Sequence, residues 1–216
     1  MKSVDTFPSP PCPPLPRVGL TGGIACGKSL VARFLNDFGV ETIDADDIVH
    51  ELIPDPAERK RLAAEVFSDP AKRRALEAKL HPIVKRRIDE FLDARASVDL
   101  RDMSGERDER PSCPSCLSCH HSPSLLRLAI VPLLFEAHWE KNFDIICCVV
   151  SERETQISRM MTTRGYTRAE AEARLAAQMP VAEKAAKSHY VIHNDGTPDE
   201  LKEEVKKFLT WVSTLS

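Results

Sequence analysis

The stretch Gly22-Gly23-Ile24-Ala25-Cys26-Gly27-Lys28-Ser29 follows the pattern G-x-x-x-x-G-K-S. It comes directly after a short apolar run around Val18 and Leu20, which is typical of a strand. After it, apolar residues recur at the i, i+3, i+4, i+7 positions of one helical face until Gly39; they are Val31, Phe34, Leu35 and Phe38. The glycine-rich stretch is therefore predicted to join a strand to a helix, the context that makes this pattern specific.

A loop of this kind binds the phosphates of a nucleoside triphosphate. Its glycines let backbone N–H groups surround the phosphates, and the positive end of the following helix adds to the attraction. Lys28 is predicted to reach the outer phosphates and the Ser29 hydroxyl to bind Mg²⁺. A glycine-rich turn with a surface lysine is the competing interpretation, and the flanking strand and helix disfavour it. The predicted nucleotide-binding residues of the loop are Gly22, Gly23, Ile24, Ala25, Cys26, Gly27, Lys28, Ser29 and Leu30.

The rest of the chain alternates between strand and helix patterns. Short apolar or β-branched runs predict further strands at residues 41–44, 128–131, 144–150 and 190–192. Runs that are apolar throughout are typical of a parallel sheet covered on both faces. Three capping-box patterns predict helix starts, at Ser151/Glu154, Thr167/Glu170 and Thr197/Glu200. We therefore predict an α/β fold of the P-loop type, with a parallel sheet flanked by helices.

Three segments depart from this alternation. Residues 47–96 are helical and strongly charged and are predicted to be a helical subdomain, with a helix start at Asp69-Pro70 and a break at His81-Pro82. Residues 97–124 are rich in Ser, Pro, Arg, Asp and Cys without periodicity, so we expect a low-complexity insertion. Residues 1–16 include six prolines and are expected to form a disordered leader.

Composition narrows the possible partners. The chain has 216 residues, 42% of them apolar, and a net charge of -3, so the overall charge gives no reason to expect nucleic acid binding. Its longest strongly apolar run, residues 145–150, is far shorter than the ~20 residues that a membrane span needs. The seven cysteines are an odd number and two of them lie in that apolar run, which favours a reducing cytoplasm, with mitochondrial association left open.

The cysteines of the insertion invite a separate interpretation. Cys113, Cys116 and Cys119 are followed directly by two histidines, and thiolates and imidazoles at such spacing are zinc ligands. Structural zinc sites usually join two separated pairs of ligands, whereas this is a single cluster. We therefore favour a cysteine-rich tract without bound metal.

Acidic residues at the end of the second strand indicate what the nucleotide is used for. No guanine-reading N/T-K-x-D tetrapeptide follows the apolar strands, and the chain is small for a motor, so a small-molecule kinase is favoured over a GTPase or an ATPase motor. Such a kinase needs a carboxylate near the acceptor hydroxyl, and it also needs bound Mg²⁺. Alternation along an extended segment would point Asp44 and Asp46 the same way, towards the crevice at the strand ends. Alternatively, these aspartates only cap a helix that starts near Ile48.

A series of motifs makes the kinase class more specific. The motifs, in chain order, are Leu20-Thr21-Gly22-Gly23-Ile24 with Gly27-Lys28-Ser29, Gly39-Val40, Ile43-Asp44-Ala45-Asp46, Phe67-Ser68-Asp69-Pro70, Leu80-His81-Pro82-Ile83-Val84, Val131-Pro132-Leu133-Leu134-Phe135-Glu136, Thr155-Gln156 with Arg159, Ala177-Gln178, and Val191-Ile192 with Asn194. In these motifs and their order, from Arg17 to the C-terminal helix with residues 97–124 excluded, the sequence resembles the dephospho-CoA kinase family.

The resemblance implies an activity and a set of site residues. The implied reaction is ATP-dependent phosphorylation of the ribose 3′-hydroxyl of dephospho-CoA, in a nucleoside-monophosphate-kinase-like fold with a helical substrate subdomain and a lid at residues 151–180. It implies Asp46 as catalytic base, Asp44 as Mg²⁺ ligand beside Ser29, Lys28 with Arg159 and Arg164 at the phosphates, and Asn194 near the adenine. The implied substrate residues are His81, Pro82, Leu133, Glu136 and Gln178.

Plain structural interpretations stand beside several of these assignments. His81-Pro82 alone is typical of a turn that ends a helix, Glu136 of a helix-start charge, and Asn194 of a turn before Asp195-Gly196. Arg159, Arg164 and Arg168 lie in a charged stretch that could close over the phosphates, and a solvated surface position is the alternative, above all for Arg168.

The chain also departs from the family pattern. The second lid arginine of the family falls on Thr163, and Arg164 is one position later. Several helical turns are missing between Ile53 and Glu58, which puts coenzyme binding in doubt. Two other functions therefore stay open: another small-molecule kinase, such as a nucleoside-monophosphate kinase, and a non-catalytic ATP-binding protein.

Overall fold

A five-stranded parallel sheet forms the centre of the protein in a computed structural model that describes residues 15–94 and 126–215. The strands are β1 (Val18–Gly22), β2 (Glu41–Asp44), β3 (Arg127–Ile130), β4 (Ile145–Val150) and β5 (Tyr190–His193). The strand order is β2-β3-β1-β4-β5, so the strand that leads into the glycine-rich loop lies in the middle. This confirms the predicted parallel sheet, with strand ends that differ by at most one residue from the predicted ones.

The two central strands are buried along their whole length. Every residue of β1 and of β4 is buried, which explains why residues 145–150 are apolar without alternation. Cys147 and Cys148 in β4 are free thiols with no exposed surface, and they pack as small apolar side chains. The Phe143 ring packs directly against the backbone of β1 at Gly19. A Cβ added at this glycine would lie only 3.0 Å from the ring.

Helices cover both faces of the sheet. On one face α1 (Lys28–Asp37) and α8 (Pro198–Ser213) share an apolar cluster with the strands, which includes Leu35, Val205 and Phe208. On the other face a second cluster holds Ile48, Val84 and Ile88 from the charged region. The remaining helices are α2 (Ala45–Leu52), α3 (Pro56–Ser68), α4 (Pro70–Asp93), α5 (Arg153–Arg164), α6 (Arg168–Ala176) and α7 (Val181–Ala186), and a 3-10 turn spans Glu140–Asn142.

Two of the three predicted capping boxes are present. Thr167 and Thr197 each accept a hydrogen bond from the backbone N–H three residues on, and the glutamate at that position accepts one in return from the cap residue. The third prediction is wrong, because α5 begins at Arg153 and its N-cap, Glu152, makes no side-chain cap bond. Ser151 is buried and its hydroxyl donates instead to the Asn194 carbonyl at 2.8 Å.

The predicted break at His81-Pro82 is also wrong. Helix α4 starts at the predicted Asp69 cap and continues through Pro82 to Asp93. Proline removes one N–H from the helix, which costs stability, but Val84 and Ile88 beyond it are 3% exposed in the second apolar cluster. Burial of that later part of the helix offsets the local loss, so tertiary packing overrides the sequence signal.

Several predictions fall outside the described residues. These are residues 1–14 of the leader and the whole 97–124 insertion, including the cysteine cluster at residues 113–119. The subdomain predicted for residues 47–96 is represented by α2, α3 and α4. Within residues 15–94 and 126–215, no helix is long and apolar enough to cross a membrane.

Candidate active site

The glycine-rich loop joins β1 to α1 as predicted. Gly27 is the N-cap of α1 with φ 88°, a left-handed conformation that residues with a Cβ rarely adopt. A Cβ added there would lie 2.1 Å from Asn194 Nδ2, and one added at Gly22 would lie 2.3 Å from the Val149 carbonyl oxygen. Glycine is therefore required at both ends of the loop, by neighbours from β4 and from the end of β5.

Lys28 is held inside this loop. Its ammonium donates to the carbonyl oxygens of Gly22 at 3.1 Å and Gly23 at 2.8 Å. Burial lowers the pKa of Lys28; nearby Lys184 lowers it further, while Cys26, Asp46 and Asp44 act in the opposite direction. The lysine charge thus lies at the start of α1, where the helix N-terminus also favours an anion.

The cleft above the loop has a volume of about 690 Å³. The loop, the end of β2, the segment after β3, the predicted lid and the start of α8 all contribute to it. Its lining residues are Ile24, Ala25, Gly27, Lys28, Ser29, Leu30, Asp44, Asp46, Pro132, Arg159, Thr163, Arg164, Gln178, Asn194, Gly196 and Pro198. Cys26, by contrast, is fully buried and does not line the cleft.

The two acidic residues line the cleft by a route that differs from the predicted one. Strand β2 ends at Asp44, and Asp46 already lies in the first turn of α2, so the prediction of a shared extended segment is wrong. Asp44 caps α2, with its Oδ1 accepting from the Asp46 N–H at 2.8 Å. The capping alternative thus applies to Asp44, although the helix begins at Ala45 and not near Ile48.

Ser29 and Asp44 fit the donor set that Mg²⁺ requires. Burial raises the pKa of Asp44; the hydrogen bond from Asp46 N–H opposes this rise, and the charges of Asp46 and Asp47 add to it. A cation nearby would therefore stabilise the ionised carboxylate. Within residues 15–94 and 126–215, no group of three or more His, Cys, Asp or Glu side chains could hold a metal. One hydroxyl and one carboxylate are typical of Mg²⁺ that takes its other ligands from water and phosphate.

Arg159 is fixed beside the loop by two backbone carbonyl oxygens and one side-chain hydroxyl. From α5 its guanidinium donates to the Ala25 carbonyl at 3.3 Å, to Ser151 Oγ at 3.1 Å and to the Asn194 carbonyl at 2.9 Å. Asn194 is 5% exposed, and its amide donates to the Cys26 carbonyl at 2.8 Å. The loop, α5 and the end of β5 are therefore tied together around one positive charge.

The other arginines of the predicted lid differ in their placement. Arg164 and Thr163, the last residues of α5, both line the cleft, so the one-residue displacement does not remove an arginine from this wall. Arg168 lies on the surface, where it pairs with Glu154 at 2.7 Å and with Glu172 at 3.1 Å. Arg168 does not line the cleft, which agrees with the alternative interpretation that it is a solvated surface residue.

Only some of the predicted substrate residues reach the cleft. Gln178 lines it, whereas His81, Pro82, Leu133 and Glu136 do not. His81 packs edge-on against Trp139 with ring centroids 5.3 Å apart, and Leu133 is 43% exposed. Glu136 forms an ion pair with Lys184 at 2.8 Å.

Sequence reasoning also missed residues that belong to this region. Pro132, Gly196 and Pro198 line the cleft, although no site role was predicted for any of them. Pro132 lies in a family motif that follows a strand, and Gly196 and Pro198 lie at a predicted helix start. Lys184 had no signal at all, since a lysine in a charged helix is normally solvated.

The fold and the cleft together define a P-loop kinase: a parallel sheet, a complete phosphate-binding loop, facing carboxylates and a fixed arginine. A family model described as dephospho-CoA kinase matches residues 17–58 and 118–200. This chain belongs to the dephospho-CoA kinase family.

Individual relatives support this assignment. The chain is 37% identical over 214 residues to a dephospho-CoA kinase of Synechococcus sp. strain JA-3-3Ab, with 89% of this chain and 90% of that protein covered. It is 35% identical to a dephospho-CoA kinase of Geobacter sulfurreducens, with 88% and 95% covered. A crystal structure of a Thermus thermophilus protein superposes with a TM-score of 0.66 at 29% identity, covering 91% of this chain and 98% of that chain.

Proposed function

We propose that this protein transfers the γ-phosphoryl group of ATP to the ribose 3′-hydroxyl of dephospho-CoA, giving coenzyme A and ADP. The observation that carries the proposal is that one cleft combines Lys28, Asp46 and Arg159 in a chain of the dephospho-CoA kinase family. Phosphoryl transfer depends mainly on positioning and on charge neutralisation, and these three residues supply both.

Nucleotide binding is assigned to the loop and its neighbours. The first N–H groups of α1 have no partners within the helix, and at a glycine-rich turn they are placed to donate to phosphate oxygens. Lys28 adds a positive charge at the outer phosphates. Asn194, Gly196 and Pro198 line the same cleft, and Asn194 lies against the Gly27 end of the loop, which supports the assignment of Asn194 to the adenine side.

Charge neutralisation falls to Arg159, Arg164 and Mg²⁺. Arg159 is already held by three acceptors, so its charge needs no reorganisation when negative charge moves onto the leaving oxygen. Arg164, at the end of α5, lines the cleft from the lid side. Ser29 and Asp44 would hold Mg²⁺, which when bound neutralises charge on the outer phosphates.

Asp46 is the proposed base. Its side chain is exposed at the start of α2 and lines the cleft that holds Lys28. In the transfer, the acceptor oxygen forms a bond to the γ-phosphorus while the bond from that phosphorus to the β–γ bridging oxygen breaks. The hydroxyl proton passes to the Asp46 carboxylate and the electron pair of the broken bond remains on ADP.

The acceptor is assigned to the side of the cleft formed by the segment after β3 and the end of the lid. Gln178 and Pro132 line this side, which supports Gln178 as a substrate residue. His81, Pro82, Leu133 and Glu136 stay predicted contacts for parts of a coenzyme-sized acceptor that extend beyond the cleft. Cys26, Cys147 and Cys148 are free thiols, in keeping with the reducing cytoplasm that we propose as the compartment.

A direct assay tests the function. Purified protein is incubated with Mg-ATP and dephospho-CoA, or with AMP as acceptor, and coenzyme A is measured by mass. We expect coenzyme A from the wild type and a loss of about 10²- to 10⁴-fold in Asp46→Asn, the range for removal of a general base.

Asp47→Asn is the matched control. Asp47 is the next residue of the same helical turn and is also exposed, but it does not line the cleft, so its variant is expected to keep the activity. Transfer to AMP alone, or ATP binding without any transfer, would contradict the proposal.

A further inference from the structure

Lys184 is the largest fully buried side chain among the described residues. It belongs to the short helix α7, and its side chain has no exposed surface. An ammonium group is rarely buried unless it is paired, because removal of its hydration is costly. A lysine at such a position therefore needs a reason other than packing.

The partners of Lys184 connect four segments around the cleft. Its ammonium donates to the Pro132 carbonyl at 2.9 Å and pairs with Glu136 Oε1 at 2.8 Å. The same Pro132 oxygen accepts from the Thr21 hydroxyl at 3.3 Å, and the same Glu136 oxygen accepts from the Met179 N–H at 3.2 Å. We call these five residues the Lys184 network.

The network reaches the cleft at Pro132 and lies next to it at two further points. Thr21 directly precedes Gly22 of the phosphate-binding loop, Pro132 lines the cleft itself, and Met179 follows the lining residue Gln178. Lys184 is also within electrostatic reach of the reaction site, since after burial its charge is among the causes that lower the pKa of Lys28. A buried ion pair is often replaceable by apolar residues without loss of stability, so stability alone does not account for it.

We propose that Lys184 is a positioning residue for phosphoryl transfer, which holds the Pro132 wall and the end of the lid segment in register with the phosphate-binding loop. It touches no reacting atom; it acts through Pro132 and Glu136. The inference rests on the proposed kinase function, because the acceptor is assigned to the wall that Pro132 and Gln178 form. Misplacement of an acceptor by about 1 Å is sufficient to lower a rate by about a hundredfold.

Lys184→Met tests this in the dephospho-CoA assay. Methionine has a similar length without the charge, so we expect kcat to fall about ten- to a hundredfold while the Kd for ATP changes less than about twofold. Lys187→Met, the same substitution at an exposed position one turn later, is the control and is expected to match the wild type.

A double variant separates positioning from folding. Lys184→Met alone leaves the Glu136 carboxylate without its cation, which by itself lowers the melting temperature. Lys184→Met/Glu136→Gln removes that unpaired charge. If Lys184 positions the wall, the double variant regains melting temperature but its kcat stays below that of Glu136→Gln alone, which controls for the loss of a predicted substrate contact. Recovery of both to the wild-type level would overturn the proposal, as would an unchanged kcat in Lys184→Met.

Thr21→Val decides the question should both Lys184 variants fail to fold. It removes the other donor to the Pro132 oxygen at nearly constant volume and leaves the ion pair intact, so we expect a lower kcat with the protein folded. An unchanged kcat in that variant would refute the positioning role. An inactive wild type would refute the proposed function itself. An active wild type with an unchanged kcat in the variants would refute only the positioning role of Lys184.

Discussion

Replacing Gly27 by alanine tests how the loop and the end of β5 depend on each other. At φ 88° an alanine is strained, which costs about 1 to 2 kcal/mol for a left-handed residue with a Cβ. The new Cβ would also lie 2.1 Å from Asn194 Nδ2, so the amide must move. That movement breaks its hydrogen bond to the buried Cys26 carbonyl, and an unsatisfied buried acceptor costs about 1 to 3 kcal/mol.

Gly165→Ala provides the matched control. Gly165 also has a left-handed backbone, with φ 67°, but nothing lies within 4 Å of an added Cβ. It therefore carries the backbone strain without the collision. We expect the free energy of unfolding to fall by about 3 kcal/mol in Gly27→Ala and by about 1 kcal/mol in Gly165→Ala.

The free energy of unfolding of both variants is measured by urea unfolding. Nucleotide is left out, because bound nucleotide would add its own stabilisation. The tryptophan fluorescence of Trp139 and Trp211 reports the transition. A difference of about 2 kcal/mol between the variants isolates the contact with Asn194 from the backbone strain. Equal losses, within about 0.5 kcal/mol, would refute the reasoning and show that Asn194 relaxes without losing its bond.

Three further predictions concern α4, α8 and α5. Pro82→Ala should raise the free energy of unfolding by about 1 to 3 kcal/mol, because Pro82 is exposed inside a helix, and a decrease in urea unfolding would contradict this. The hydrogen bond from the Thr197 N–H lowers the pKa of Glu200. The ionised Glu200 carboxylate therefore stabilises the folded protein at pH values above 4.5, its ordinary pKa, and this stabilisation is lost as the pH falls below 4.5. The stability difference between wild type and Glu200→Gln, measured by urea unfolding at pH 7 and pH 4, should therefore shrink at the lower pH. Arg159→Ala should lower kcat/KM about 10²- to 10³-fold, whereas Arg168→Ala, which loses only surface ion pairs, should stay within about twofold in the same assay.

The parts of the fold that the sequence predicts well are those in which local and tertiary preferences agree. The apolar strand, the glycine-rich loop and the amphipathic helix around Lys28 each fit a single structure, and the threonine caps at Thr167 and Thr197 bond to residues only three positions away. Ser151 fits the same local pattern, yet its hydroxyl bonds to Asn194, 43 residues later. Local rules contain no information about such a partner.

The same distinction applies within the site. The sequence places Asp44 and Asp46 at the site because they come at the end of a predicted strand. It does not reveal that the strand ends at Asp44 and a helix begins at Ala45, because this depends on Asp44 capping α2. Lys184 is invisible to sequence reasoning because its partners, Pro132 and Glu136, lie about fifty residues away in sequence, and only the fold brings them to one buried point.

Packing divides the predicted lid into an anchored base and a lightly packed end. In α5, Gln156, Ile157 and Met160 are buried, whereas Thr163, Arg164 and most of α6 are exposed. Segments with few buried contacts open at the lowest free energy. Arg159 lies on the anchored part and bonds to the loop directly, so its removal disturbs the loop and Asn194 together. Substitution at Arg164 leaves those bonds intact, so kinetic differences between the two variants separate fixed charge from closure of the lid.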